Sequence, residues 1–177
     1  IAYSTPSADV PSVRKADEEV RAWLRSGNRR IWRVMGGPHP TYAPAICGEM
    51  ELNAICQGDG DRAFPEMLRR LEAGESLRGI PNVGLAGAGA EEKEVVQNLD
   101  GLPLADREMY YTALPYCGAS GLRTFMAGRG CPYDCSYCFN HLYREVFAGH
   151  GPTLRRRSVD NLLDEIEGID PTRNRAL

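Results

Sequence analysis

Apolar residues in this chain recur at two spacings, and the changes between them mark a succession of strands and helices. Ile1 to Tyr3 reads as the tail of a strand, after which Val13, Ala16, Val20, Trp23 and Leu24 fall on one face of a helix. Ile31 to Met35 is a second short apolar run, a strand leading straight into Gly36-Gly37-Pro38-His39-Pro40-Thr41. Two glycines at that point let the backbone turn tightly or approach a neighbour closely. Further on, Gly58-Asp59-Gly60-Asp61 reads as a helix start, with Asp59 and Asp61 as capping groups, and Phe64, Met67, Leu68 and Leu71 share the face of the helix that follows. Strands alternating with helices predict an open α/β sheet. In such sheets ligands lie outside the carboxyl ends of the strands, where Ser4-Thr5 and Gly36-Gly37 both fall.

The second half has a different rhythm. Leu122, Phe125, Met126 and Ala127 predict a short buried strand ahead of Gly128-Arg129-Gly130-Cys131-Pro132. A helix is expected from about Ser158, with Val159, Leu162, Leu163 and Ile166 at helical spacing and Gly168 as its stop. Strand, cysteine loop and helix make one β/α unit, with the loop at the strand's carboxyl end, the face where barrel enzymes place their catalytic groups. The expected layout is a partial Rossmann-like domain over 1–97, a linker with few regular signals over 98–120, and the start of a barrel over 121–177.

Composition changes this picture little. The chain has 177 residues, 42% of them hydrophobic and 25% charged, with a formal net charge of -3 and no apolar run long enough to span a membrane. The mildly acidic balance argues against a phosphate-backbone footprint, so no nucleic-acid partner is expected, and Arg155-Arg156-Arg157 reads as a solvated approach to the last helix. The sequence opens on Ile1 inside a strand, and a complete barrel needs on the order of 200 residues, so a longer parent protein is expected.

The chemistry concentrates in Cys131-Pro132-Tyr133-Asp134-Cys135-Ser136-Tyr137-Cys138. Three thiolates within eight residues suit a four-iron cluster, and without a fourth cysteine at ferredoxin spacing one iron has no protein ligand. An open metal position is where a substrate or cofactor binds. Zinc, a disulfide or core packing are the alternatives. Zinc takes ligands in two short pairs and His141 supplies no second pair, while disulfides belong to small secreted scaffolds rather than to a chain of this size with 6 Cys. Cys47, Cys56 and Cys117 are scattered and read as small buried side chains. His39, between two prolines, reads as a local hydrogen-bonding group, and His150 as a loop residue.

The three-cysteine spacing with an aromatic residue, Tyr137, before the third cysteine resembles the radical S-adenosylmethionine superfamily. The resemblance implies a 4Fe-4S cluster held by Cys131, Cys135 and Cys138, with S-adenosylmethionine chelating the fourth iron and being cleaved reductively to a 5'-deoxyadenosyl radical. By position in that motif, Tyr137 and Asn140 are expected to shape the adenosylmethionine pocket.

A second resemblance covers the first half. Gly36-Gly37-Pro38-His39-Pro40-Thr41 with Cys56-Gln57-Gly58-Asp59-Gly60-Asp61 is similar to the cobalamin-binding domain that precedes the radical domain in one branch of the superfamily, and Leu99 to Arg107 is similar to its interdomain linker. Ser4, Thr5, Gly36 and Gly37 are thereby expected to approach cobalamin. Two departures stand out. Gly58-Asp59-Gly60-Asp61 replaces the usual Gly-Glu-Gly-Glu, and the Asp-x-His-x-x-Gly motif that gives some cobalamin domains a cobalt ligand is absent from these residues.

Together the resemblances imply an α/β chain, a partial cobalamin-binding Rossmann-like domain followed by the start of a radical SAM (β/α) partial TIM barrel, taken from an enzyme that transfers a methyl group to an unactivated centre. Its implied partners are a small-molecule substrate and an electron donor such as flavodoxin or ferredoxin, and an oxygen-sensitive cluster implies the cytoplasm. The alternatives are an oxidative cyclase or rearrangement enzyme, a radical enzyme whose front domain no longer binds cobalamin, and a non-catalytic electron-transfer or zinc-binding module. No residue of the chain is assigned a catalytic role.

Overall fold

The computed structural model describes residues 1–85, 88–120 and 122–169; the first residue of the expected barrel segment, 121, and its last, 170–177, lie outside the described residues. The chain runs β1 (Ala2–Ser4), α1 (Val10–Ser26), β2 (Val34–Gly36), α2 (Pro38–Tyr42), α3 (Ile46–Glu49), β3 (Ala54–Cys56), α4 (Ala63–Ala73), β4 (Val83–Leu85), α5 (Arg107–Ala113), α6 (Pro115–Ala119), β5 (Gly128–Arg129), α7 (Asn140–Val146), β6 (Arg155–Arg156) and α8 (Val159–Glu167). It divides into two compact units, one of residues 1–96 with 133–151, the other of 97–132 with 152–177.

The first unit is built on a four-stranded sheet in the order β1-β2-β3-β4. The first three strands are parallel and β4 closes the edge antiparallel to β3. Side chains alternate across a strand, and here the alternation sorts the core into two layers. Val34, Ala54 and Cys56 pack with Ala63 and Met67 of α4 on one face, while Met35 and Ile55 pack with Ile46, Cys47, Met50 and Leu52 on the other, against Tyr3, Val10 and Val13. A buried charge network clamps α1 to the sheet: Asp17 accepts from Arg33 Nη1 at 2.8 and 2.6 Å and from the Tyr3 hydroxyl at 2.9 Å, and Arg33 also donates to the Glu51 carbonyl at 2.5 Å. Burial first, then the hydrogen bond and charge of Asp17, push the Tyr3 hydroxyl up to about 12.

Several expectations are corrected here. The expected second strand starts at Val34 rather than Ile31, leaving Ile31 and Trp32 exposed. Ala16 and Trp23 of α1 face outward, and Trp23 carries the Arg29 guanidinium 4.2 Å above its ring. Leu68 of α4 is exposed as well. Asp59 does not cap α4; it is buried and accepts from the Val96 amide at 3.0 Å, so it ties down the segment after β4.

The second unit departs further from the linear layout. The stretch expected to be a linker contains α5 and α6, packed on each other, with the Asp106 carboxylate capping α5 through the Met109 amide at 3.2 Å. The apolar run before the cysteines is no buried strand: Leu122 is 84% and Met126 65% exposed. Pairing begins two residues later, where β5 meets β6 antiparallel, Gly128 opposite Arg156. Arg155 and Arg156 of the arginine run are therefore strand, and Arg155 is buried. Helix α8 has the expected Ser158 cap, accepting from Asn161 at 3.1 Å, and stops at Gly168. Its buried residue is Glu165, which pairs with Arg107 and Arg157, while Val159, Leu163 and Ile166 are exposed. Burial alone would raise the Glu165 carboxyl, but hydrogen bonds from Arg157 and Arg107 outweigh it and hold the carboxyl below its usual range.

Residues 133–151, including α7, group with the first unit rather than with the rest of 121–177. The physical reason is Phe147, fully buried against Gly58 of the front sheet.

Candidate functional site

Parallel pairing brings the carboxyl ends of β1 and β2 side by side, so Ser4-Thr5 and Gly36-Gly37 meet. The Thr5 amide donates to the Gly36 carbonyl at 3.0 Å, and the Thr5 carbonyl accepts from the His39 amide at 2.9 Å. Gly37 has φ 91° and ψ -169°, a conformation confined to glycine. A Cβ there would stand 2.8 Å from the Thr5 nitrogen and 3.3 Å from Ser4 Oγ. Glycine is thus required twice, by its dihedrals and by the closeness of the neighbouring turn. Thr5 is fully buried, and its hydroxyl oxygen has no hydrogen-bond partner among the described residues. An orphaned buried hydroxyl is costly, and a ligand's polar group at these loops would satisfy it.

Two residues that the sequence reading did not single out brace this crevice. Thr41 donates from Oγ1 to the Gly37 carbonyl and accepts from the Gly58 amide, both at 2.9 Å. Gln57 donates to the Thr41 carbonyl at 3.1 Å and accepts from the Ala90 amide at 2.6 Å. The signal available in sequence was their place inside the two glycine-containing runs. His39 makes the expected local contact, Nδ1 to Ser7 Oγ at 3.0 Å.

The cysteine motif is distributed over both units: Cys131 belongs to the second, Cys135 and Cys138 to the first. Within the second unit Cys131 is held by its predecessor. Gly130 has φ +84°, and a Cβ on it would come within 2.2 Å of the Thr153 carbonyl oxygen beside β6. Within the first unit the Cys138 amide donates to the Cys135 carbonyl at 3.0 Å, and the Asn140 side-chain amide lies 3.4 Å from Cys138 Sγ as donor. All six cysteines are outside disulfides, and those of the motif are half-buried. Cys47 and Cys56 are buried as expected; Cys117 is only half-buried. Burial first, then the nearby Asp61 and Asp59 charges, push the Cys56 thiol up to about 11. Tyr137 is 90% exposed. Among the described residues, no three His, Cys, Asp or Glu side chains stand close enough together to hold a metal ion. The donor chemistry nevertheless fits an iron-sulfur cluster: soft thiol sulfurs, unoxidised, one already facing an amide N–H of the kind that tunes cluster sulfurs.

No family model matches the chain. Curated relatives do. An uncharacterized methyltransferase of Pyrococcus horikoshii, PH0819, is 26% identical over 149 residues, 78% of this chain and 30% of the relative. The cobalamin-dependent radical SAM methyltransferase TokK of Streptomyces tokunonensis is 29% identical over 145 residues, 76% of this chain and 20% of TokK. This chain is similar in sequence to methyltransferases, TokK among them a cobalamin-dependent radical SAM enzyme. An anaerobic magnesium-protoporphyrin IX monomethyl ester cyclase of Rubrivivax gelatinosus is also similar, 23% identical over 174 residues, 91% of this chain and 30% of the cyclase. Among solved structures, the cobalamin-dependent radical enzyme OxsB, with aqua-cobalamin and S-adenosylmethionine bound, superposes with a TM-score of 0.70 at 16% identity over 94% of this chain and 22% of OxsB. The methyltransferase TsrM of Kitasatospora setae, with cobalamin and a [4Fe-4S] cluster bound, superposes with a TM-score of 0.61 at 19% identity over 90% of this chain and 31% of TsrM. The likeness to these structures is one of fold. The chain spans 30% and 20% of the length of the first two curated relatives. No helix among the described residues is long and apolar enough to cross a membrane.

Proposed function

We propose that this chain is the cobalamin-binding and cluster-bearing part of a cobalamin-dependent radical SAM methyltransferase acting on a small-molecule substrate. The observation that carries the proposal is the crevice at the ends of β1 and β2, where the orphaned Thr5 hydroxyl and the side-chain-free Gly37 meet in a chain that also bears the three-cysteine motif. Ser4, Thr5, Gly36 and Gly37 would hold cobalamin, with Thr41 and Gln57 bracing the loops. Cys131, Cys135 and Cys138 would hold the 4Fe-4S cluster, and Asn140 would orient the Cys138 sulfur. Tyr137, standing in solvent, would meet adenosylmethionine through a part of the parent protein that closes over it. When bound, these groups supply an electron for cleavage of S-adenosylmethionine and a methyl group for transfer. The protein's own work is ligation, orientation and exclusion of water.

The cysteine loop would belong to a radical SAM barrel in the parent protein, and one-electron reduction would come from a donor such as flavodoxin or ferredoxin in a reducing compartment, the cytoplasm. A second reading, oxidative cyclisation, has in its favour that the cyclase similarity extends over 91% of this chain. Anaerobic turnover of the full protein with labelled S-adenosylmethionine tests both. Cobalamin-dependent label in a methylated product supports methyl transfer; 5'-deoxyadenosine with an unlabelled, dehydrogenated product supports the cyclase; neither product refutes the proposal.

A further inference from the structure

The front sheet and the second half of the cysteine motif are joined by an aromatic seam inside the first unit. Phe147, just past α7, is fully buried, and its ring lies so close over Gly58 that a Cβ there would stand 2.3 Å from Cζ and 2.9 Å from Cε2. Tyr143 stacks on Phe147 with centroids 4.5 Å apart and planes at 26°. One turn earlier, Phe139 meets the Tyr42 ring of α2 at 5.5 Å and 56°. Lys93 Nζ donates to the Val146 carbonyl at 3.2 Å and fastens the carboxyl end of α7. On the sheet side the chain of contacts continues from Gly58 through Thr41 Oγ1 to the Gly37 carbonyl. On the other it continues from Phe139 to its neighbour Cys138, whose sulfur faces Asn140.

We propose that Phe147 is a positioning residue that locks Cys135 and Cys138 to the glycine loops of the front sheet, so that the groups bound at those two places are held in one rigid frame. A buried aromatic ring seated on a glycine admits one arrangement of α7, since neither a larger residue at 58 nor a smaller one at 147 preserves the contact. A methyl delivered from one group to a substrate activated beside the other requires such a fixed separation, since misplacement of about 1 Å costs on the order of 100-fold in rate. The inference rests on the proposed function for its purpose, but its geometry lies in the protein alone.

The experiment uses the full chain as wild type, Phe147→Ala and Phe147→Leu, with two readouts. Without any cofactor, the alkylation rate of each thiol is followed by mass spectrometry. Phe147→Ala is expected to speed labelling of Cys135 and Cys138 severalfold while Cys117, in the other unit, is unchanged. After anaerobic reconstitution, iron retention against a chelator is expected to fall roughly tenfold, with an altered electron paramagnetic resonance spectrum of the reduced cluster. Phe147→Leu, which keeps an apolar side chain over Gly58, is expected to lie between the two and to decide the matter should Phe147→Ala not fold. Wild-type labelling rates for Cys135 and Cys138 in folded variants would overturn the inference. Faster labelling in a chain that takes up no cluster would instead leave the seam standing and sink the proposed function.

Discussion

Replacing Gly37 by alanine tests whether the crevice at the ends of β1 and β2 is built as described. The dihedrals of Gly37, φ 91° and ψ -169°, lie where an L-residue pays about 1–3 kcal/mol. The added methyl would also press on the Thr5 nitrogen at 2.8 Å and on Ser4 Oγ and the Thr5 carbonyl oxygen at 3.3 Å. Overpacking of that kind costs about 1–3 kcal/mol more, so Gly37→Ala should destabilise the first unit by about 2–6 kcal/mol. Gly74 supplies the control. It ends α4 with φ 69°, and a Cβ there would meet nothing within 4 Å, so Gly74→Ala should cost only the left-handed conformation, about 1–2 kcal/mol. Urea unfolding followed by tryptophan fluorescence reports the right unit, since Trp23 and Trp32 are the two tryptophans and both lie in it. With a slope of about 1–3 kcal/mol/M, the Gly37→Ala midpoint should fall by about 1 M or more. Equal losses in the two variants, or a Gly37→Ala loss below about 1 kcal/mol, would refute the close approach of the two strand ends.

Four further outcomes are expected. Asp17→Asn leaves the buried Arg33 guanidinium without its counter-charge and should cost about 3–5 kcal/mol in the same urea assay; a loss under about 1 kcal/mol would contradict the clamp. Glu165 is held deprotonated below its usual range, so its stabilisation is present above the ordinary carboxylate pKa and lost as pH falls through the depressed one; wild type should therefore lose more stability than Glu165→Gln on acidification below about pH 4, and parallel curves would count against the Arg107–Glu165–Arg157 triad. The Cys56 thiol, pushed up to about 11, should resist iodoacetamide at pH 8 in the folded protein while Cys117 reacts, as read by mass spectrometry; equal rates would contradict its burial. Gly130→Ala should push the backbone at 130 off the Thr153 carbonyl, displace the neighbouring Cys131 and abolish uptake of a full cluster, measured as iron per chain; normal uptake would show that this glycine does not position the motif.

What the sequence made legible follows from how local each determinant is. The strand β1, the core of β2 and the helices α1, α4 and α8 carry periodicity or caps within their own residues, and the glycine pair announced the crevice before any contact was known. Exposure was harder to read. Trp23, Leu68 and Leu163 have helical spacing but point outward, because which apolar residue a helix buries depends on what packs against it. Helix α8 is the sharpest case: its buried residue is Glu165, a choice made by Arg107 from a distant part of the chain together with Arg157 just ahead of the helix. The strand expected at Leu122 to Ala127 failed for a related reason. Its apolar content is that of a strand, but the pairing surface is offered by Arg155–Arg156, opposite Gly128–Arg129, where glycine lets the backbones close in. Helix α7 is seven residues long and owes its place to long-range contacts, Phe147 on Gly58, Phe139 on Tyr42 and Lys93 on the Val146 carbonyl, which no local pattern encodes. The cysteine motif, by contrast, was visible at once, because its ligand chemistry is written in consecutive residues.

In the proposed function Cys131, Cys135 and Cys138 together ligate a cluster with one iron left open. The most direct measurement is iron and sulfide content per chain after anaerobic reconstitution of wild type and of the three single Cys→Ala variants, with electron paramagnetic resonance of the reduced protein before and after adding S-adenosylmethionine. About four irons per chain are expected in wild type, with a spectrum changed by S-adenosylmethionine and loss of the cluster in each variant. Zinc in place of iron, or a cluster that survives any one of the three substitutions and ignores S-adenosylmethionine, would rule out ligation by these three cysteines.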